Sequence, residues 1–155
     1  MESRVTGHPV QDASGDALLE GPSGTKLVIV EAALGTLKSK GFAGASARAI
    51  AREGGFNQAL IFYHFGSVRN LLLAVLDLIS ERRMAEYGPA FERARTAVQL
   101  AGLARTIYAD DLKHGYITVL GEMVSGGVGD PDLGIEVAAR VEPGSRWSSA
   151  NSSSC

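Results

Sequence analysis

The chain has 155 residues, 45% of them hydrophobic and 21% charged, with a net charge of −2. That length supports one ordinary core, or a small module docked on a larger one, and the composition is globular rather than that of a disordered chain. The one cysteine, Cys155, excludes an internal disulfide framework and argues against a thiolate metal centre. The longest apolar run, LLLAVLDLI at 71–79, is interrupted by Asp77, so no membrane span is expected. The N-terminus carries no basic-then-apolar signal pattern, which makes a cytoplasmic location the default expectation.

Taken in chain order, residues 1–22 are rich in Gly, Pro, Ser, Asp and Glu and predict a mobile arm. A first helix is predicted from Ser23 or Thr25, with Leu27, Val30, Leu34 and Leu37 as its buried stripe, and Gly41 as its end. Ser46 caps a second helix over 47–53. Gly54-Gly55 then supplies the positive backbone angles of a sharp helix-helix turn, and Asn57 caps a third helix running to Phe65. Gly66-Ser67 stops that helix, and Ser67 caps a fourth over 68–87. Gly88-Pro89 is read as a break. Further helices are predicted over 90–109, 112–124 and 135–141, with SGGVGDPDLG at 125–134 as a loop. No strand pattern is found, so the fold class is all-α.

The charge is unevenly placed. Residues 1–24 carry a net −3 and residues 81–155 a net −2, whereas residues 25–80 carry six basic and three acidic side chains. The positive block coincides with the two short helices around Gly54-Gly55. A short helix, a tight turn and a second short helix crowded with hydrogen-bonding and aromatic groups make a helix-turn-helix, whose second helix enters a DNA major groove.

The stretch from Gly41-Phe42 through Ser46, Arg48, Ile50-Ala51, Gly55 and the block NQALIFYHF, followed by a Gly-Ser link into a Leu-rich helix, resembles the DNA-binding domain of the tetracycline-repressor (TetR) family of transcriptional regulators. The resemblance covers roughly residues 25–80. It implies a three-helix DNA reader at 23–67 and a helical effector-binding, regulatory domain at 68–142. It also implies a homodimer that reads a palindromic double-stranded operator and releases it when a small-molecule effector binds. That family usually continues with two more long helices. Here the Ser-rich segment 143–155 abandons the preceding residue usage and is read as a disordered tail, from a truncation or frame change after about Glu142.

Within the reader, Gln58 is the candidate base reader, because a side-chain amide pairs bidentately with adenine, and Ala59 is small enough to touch a thymine methyl. Tyr63 and His64 are phosphate candidates, each an apolar body with a polar tip. Arg48 suits a phosphate or an outer base, and the helix N-termini at Ser46 and Asn57 bring amides to phosphate. Lys26 and Arg69 are weaker phosphate candidates; Phe62, Ile61 and Phe65 are read as core. In the second half Tyr108, Asp111, His114, Tyr116 and Met123 could line an effector pocket, although the plainer reading is the stronger one, with Tyr116 and Met123 as core at helical spacing. Arg82, Arg83, Arg93 and Arg95 with Glu81, Glu86 and Glu92 are read as a solvated, mixed-charge face.

Catalysis, a metal and a cofactor are not expected. Asp110-Asp111 with His114 has helical spacing but no second ligand cluster, and Asp130 with Asp132 lacks the spacing of a calcium loop. No phosphate loop, dinucleotide fingerprint or nucleophile elbow is present. A rival expectation is a truncated helical interaction protein that dimerises poorly, binds DNA weakly or pairs with an intact paralogue.

Overall fold

The computed structural model describes residues 22–141; the predicted arm before them, the 143–155 tail and the proposed frame change at Glu142 lie outside the described residues. Among the described residues there are seven helices and no strand: α1 (Pro22–Gly44), α2 (Ala47–Gly54), α3 (Ala59–Phe65), α4 (Val68–Arg93), α5 (Ala97–His114), α6 (Tyr116–Gly129) and α7 (Pro131–Val141). The all-α expectation holds for them.

One continuous core joins the two halves. Ile29, Ala33, Leu34 and Leu37 of α1 meet Ile50 of α2, Ile61 of α3, Leu71 to Leu73, Val75, Leu76 and Ile79 of α4, Val119 and Met123 of α6, and Leu133 and Val137 of α7. The polar group buried in α1, Thr36, is satisfied within its own helix, donating its hydroxyl to the Ala32 carbonyl at 2.8 Å. Leu27 departs from the expected stripe: it is 48% exposed, whereas Val30, Leu34 and Leu37 are buried as their spacing predicts.

The end of α1 is sharper than a simple stop. Gly41 takes φ 69°, ψ −178°, which kinks the chain before one last turn through Gly44. The Glu122 carboxylate of α6 fills the space a Cβ would need there and accepts the Phe42 amide at 2.8 Å.

Three boundaries in the second half differ from expectation. Gly88-Pro89 does not break the chain; α4 passes through it to Arg93. The true stop is Ala94, and a capping box restarts the chain: Thr96 Oγ1 accepts the Gln99 amide while Gln99 Oε1 accepts the Thr96 amide. α5 then continues to His114, where left-handed Gly115 ends it, so the expected break near residue 110 is absent.

The expected loop at 125–134 is helix on both sides of Asp130. Its glycines permit close packing instead of flexibility. A Cβ on Gly127 would lie 2.8 Å from the Gly134 Cα, and one on Gly126 would lie 2.7 Å from the Phe42 ring. Asp130 Oδ1 accepts the Leu133 amide at 3.1 Å and so caps α7. Gly127→Ala is therefore expected to cost about 1–3 kcal/mol by forcing α6 and α7 apart, read as a lowered denaturant midpoint, whereas Gly129→Ala, whose Cβ would meet nothing within 4 Å, carries no such clash.

α7 runs parallel to the start of α4. Arg69 meets Asp130 at 3.4 Å at one end, and Asp77 meets Arg140 at 3.4 Å at the other, with Leu133 and Val137 buried between. Arg82 and Arg83 are not simply a solvated face either: Arg82 pairs with Glu31 of α1, and Arg83 with Asp111 of α5 at 3.1 Å.

Candidate nucleic-acid interface

α2 and α3 are set by their ends. Ser46 Oγ accepts the Ala49 amide at 3.2 Å, as its position predicts. Gly55 adopts φ 69°, ψ 30° and returns its amide to the Ala51 carbonyl. Gly54 is different from the expectation: it is helical, and its bareness is needed because the Phe56 ring lies where a Cβ would be, 2.2 Å from it. Only one of the paired glycines thus supplies a left-handed turn; the other admits an aromatic ring.

The expected cap by Asn57 is displaced: Gln58 holds the cap position of α3 with no side-chain cap bond, and Asn57, one residue earlier, accepts the Ala59 amide on Oδ1 at 2.9 Å. That bond occupies one oxygen of an exposed side chain. At its far end Gly66 is left-handed in φ, Ser67 Oγ accepts the Asn70 amide at 3.1 Å, and Asn70 Nδ2 donates to the Phe65 carbonyl at 2.9 Å. These bonds lock the α3–α4 corner.

Between those locks the side chains separate by face. Ile61 is fully buried, and Leu60 and Phe65 pack on the core. Gln58, Ala59 and Tyr63 are exposed, Tyr63 by 82%. His64 is half-buried and stands edge-on to the Tyr63 ring at 4.9 Å. Phe62, expected in the core, is 49% exposed; it falls on the same side as Ala59 and Tyr63, away from Ile61.

Arg48 is exposed on α2. With Ala51, Arg52, Phe56 and Gln58 it borders a notch of about 440 Å³ between α2 and α3. Arg52 was missed as a site candidate; its signal is the four-residue spacing from Arg48, which places two guanidiniums on one helix face. Arg69 is held apart from this group by its pairing with Asp130. Arg48, Gln58 and Arg52 are therefore brought together, Ala59, Tyr63 and His64 continue along the same short helix, and Arg69 stands at the corner behind it.

The second half holds a separate cleft of about 440 Å³, lined by Arg82, Arg83, Tyr87, Asp110, Asp111, His114 and Tyr116 among others. Of the five expected pocket residues, Asp111, His114 and Tyr116 line it, Tyr108 is exposed, and Met123 lies in the core. Tyr87 donates its hydroxyl to Asp110 Oδ2 at 2.5 Å, which holds the phenol well above its usual range. Desolvation raises the Asp111 pKa, and neighbouring Asp110 adds to this; Arg83 and His114 oppose it without reversing it. A raised carboxyl binds its proton more tightly folded than unfolded. Its contribution to stability is thus complete below the ordinary carboxylate range and is lost as pH rises through the folded value. Asp111→Asn is expected to remove that decline, so that a plot of unfolding midpoint against pH falls less steeply across this window than in the parent chain.

Two helices at a left-handed glycine turn, the second with a polar outer edge and an apolar inner one, define a helix-turn-helix domain. Residues 29–75, from within α1 to the first turns of α4, match the family model described as bacterial regulatory proteins, tetR family, so this stretch is similar to the DNA-binding part of those regulators. No curated protein and no solved structure matches the chain. Among the described residues no group of three or more His, Cys, Asp or Glu side chains is placed to hold a metal ion, and no single helix is long and apolar enough to cross a membrane.

Proposed function

We propose that this chain is a sequence-specific transcriptional repressor, acting in the cytoplasm as a homodimer on a palindromic operator and released by a small-molecule effector. Residues 23–67 are the reader and 68–142 the regulatory part, with the cleft between α4 and α5 as the effector's place. Gln58 and Ala59 meet base edges; Tyr63, His64, Arg48 and Arg69 meet phosphate, and the amides at Asn57 approach the backbone.

The observation that carries this reading is the division of α3: Ile61 is wholly buried while Gln58, Ala59 and Tyr63 are left on the outside. The outward residues offer an amide just before α3 and a phenol near its end, the donor and acceptor types that base edges and phosphates accept. The test is selection of duplexes from a random-sequence library by the purified chain, with light scattering on the protein alone and on the complex. Enrichment of a palindrome by a dimer supports the repressor. A monomer with sequence-blind, strongly salt-sensitive binding supports instead the interaction protein.

A further inference from the structure

We infer that Asp130 is a positioning residue for DNA binding: it holds Arg69 back from the duplex, so that the seat of the α6–α7 corner on α4 sets how much Arg69 contributes. This rests on the reading of α2 and α3 as a DNA reader with Arg69 beside it.

Asp130 is the lone residue between α6 and α7, and its two oxygens do different things. Oδ1 accepts the Leu133 amide and caps α7, while Oδ2 lies 3.4 Å from Arg69 Nη1. Arg69 is in the first turn of α4, directly after the locked corner that ends α3, so its backbone moves with the reader. Asp130, in contrast, is fixed to α6 and α7, whose crossing at Gly127 and Gly134 leaves no room for adjustment.

The pair is open to solvent, with 37% of the Arg69 side chain and 44% of the Asp130 side chain exposed. A phosphate can therefore reach the guanidinium, and an exposed pair of this kind is weak enough to be exchanged. The rest of the α7 seat does not depend on it: Leu133 and Val137 are buried, and Arg140 meets Asp77 one helix length away. A duplex phosphate that takes Arg69 must displace the Asp130 carboxylate, and a shift of α6–α7 away from α4 does the same displacement in advance.

Asp130→Asn separates the two oxygens' roles, since asparagine still caps a helix but carries no charge. With a duplex selected by the parent full-length chain, D130N is expected to bind about two- to fivefold more tightly at low salt, the range available to an exposed pair. Arg69→Ala is expected to weaken binding, and D130N added to it to change nothing further. Asp132→Asn, which removes a neighbouring exposed charge in the first turn of α7, is expected to have the smaller effect. Should D130N melt lower than the parent, Asp130→Ser keeps a capping oxygen and takes its place. A gain in affinity is a result that mere destabilisation cannot produce. Equal tightening by D130N and D132N, or the same tightening with Arg69 absent, overturns the inference while leaving the DNA reader intact, as does an R69A chain that binds like the parent. If the parent chain selects no duplex at all, the reader itself is wrong and this inference goes with it.

Discussion

Ile61→Ala is expected to lower stability by about 2–5 kcal/mol, the cost of emptying a fully enclosed aliphatic site. The loss should fall hardest on the reader, because α3 is only seven residues long and cannot stand without tertiary packing. Ile61 is its one fully buried side chain and joins the continuous core on the α4 side. The adjacent change, Phe62→Ala, removes a larger side chain yet is expected to cost well under half as much, since half of that ring is already in water. Parallel denaturant titrations of the two variants check this. If the phenylalanine change is the more damaging of the two, the assignment of faces on α3 is wrong.

Gln58→Ala is expected to change which duplexes bind, with a loss of about 1–3 kcal/mol on the preferred sequence and little on an unrelated one. The side chain is exposed just before α3, beside Arg48 and Arg52 at the notch between the helices, where an amide can meet a base edge once the guanidiniums have met phosphate. Tyr63→Phe and His64→Ala form the contrasting pair. Their polar tips are expected to serve every sequence alike, so binding weakens uniformly and the preference stays as it was. Repeating the duplex selection with each variant distinguishes the two patterns. A Gln58 variant that keeps the parental preference removes it from the base-reading role.

The first half of the chain was legible because its signals are local. Ser46 and Ser67 announce helix starts through one side-chain oxygen each, and Gly55 announces a left-handed turn; none of these needs a partner far away in the sequence. The errors fall where distant packing decides. Gly126, Gly127 and Gly134 look like a loop until Phe42 and the α6–α7 crossing are known, for a glycine that admits a neighbour and one that loosens a chain are the same letter. Leu27 has the right spacing, yet half of it stays in solvent, because spacing gives a face and not what lies opposite it. Phe62 was assigned to the core on its apolar character, whereas α3 buries Ile61 and turns the next two residues outward. The pairings of Arg82 with Glu31, Arg83 with Asp111 and Arg69 with Asp130 each join separate helices, so i, i+4 reasoning within one helix had no access to them.

Pro89 gives α4 two mechanical regimes. It has no amide hydrogen, so the Ala85 carbonyl lacks the donor four residues on that the other turns enjoy, and the six residues from Gly88 to Arg93 hang on by a thinner thread. Unwinding that begins at the tip can run back to this place and then meets Tyr87, clasped by Asp110 from the opposite helix. The stub of α4 beyond Tyr87 is thus tied on by one backbone bond fewer, while the stretch from Leu71 to Ile79 is seated in the shared core.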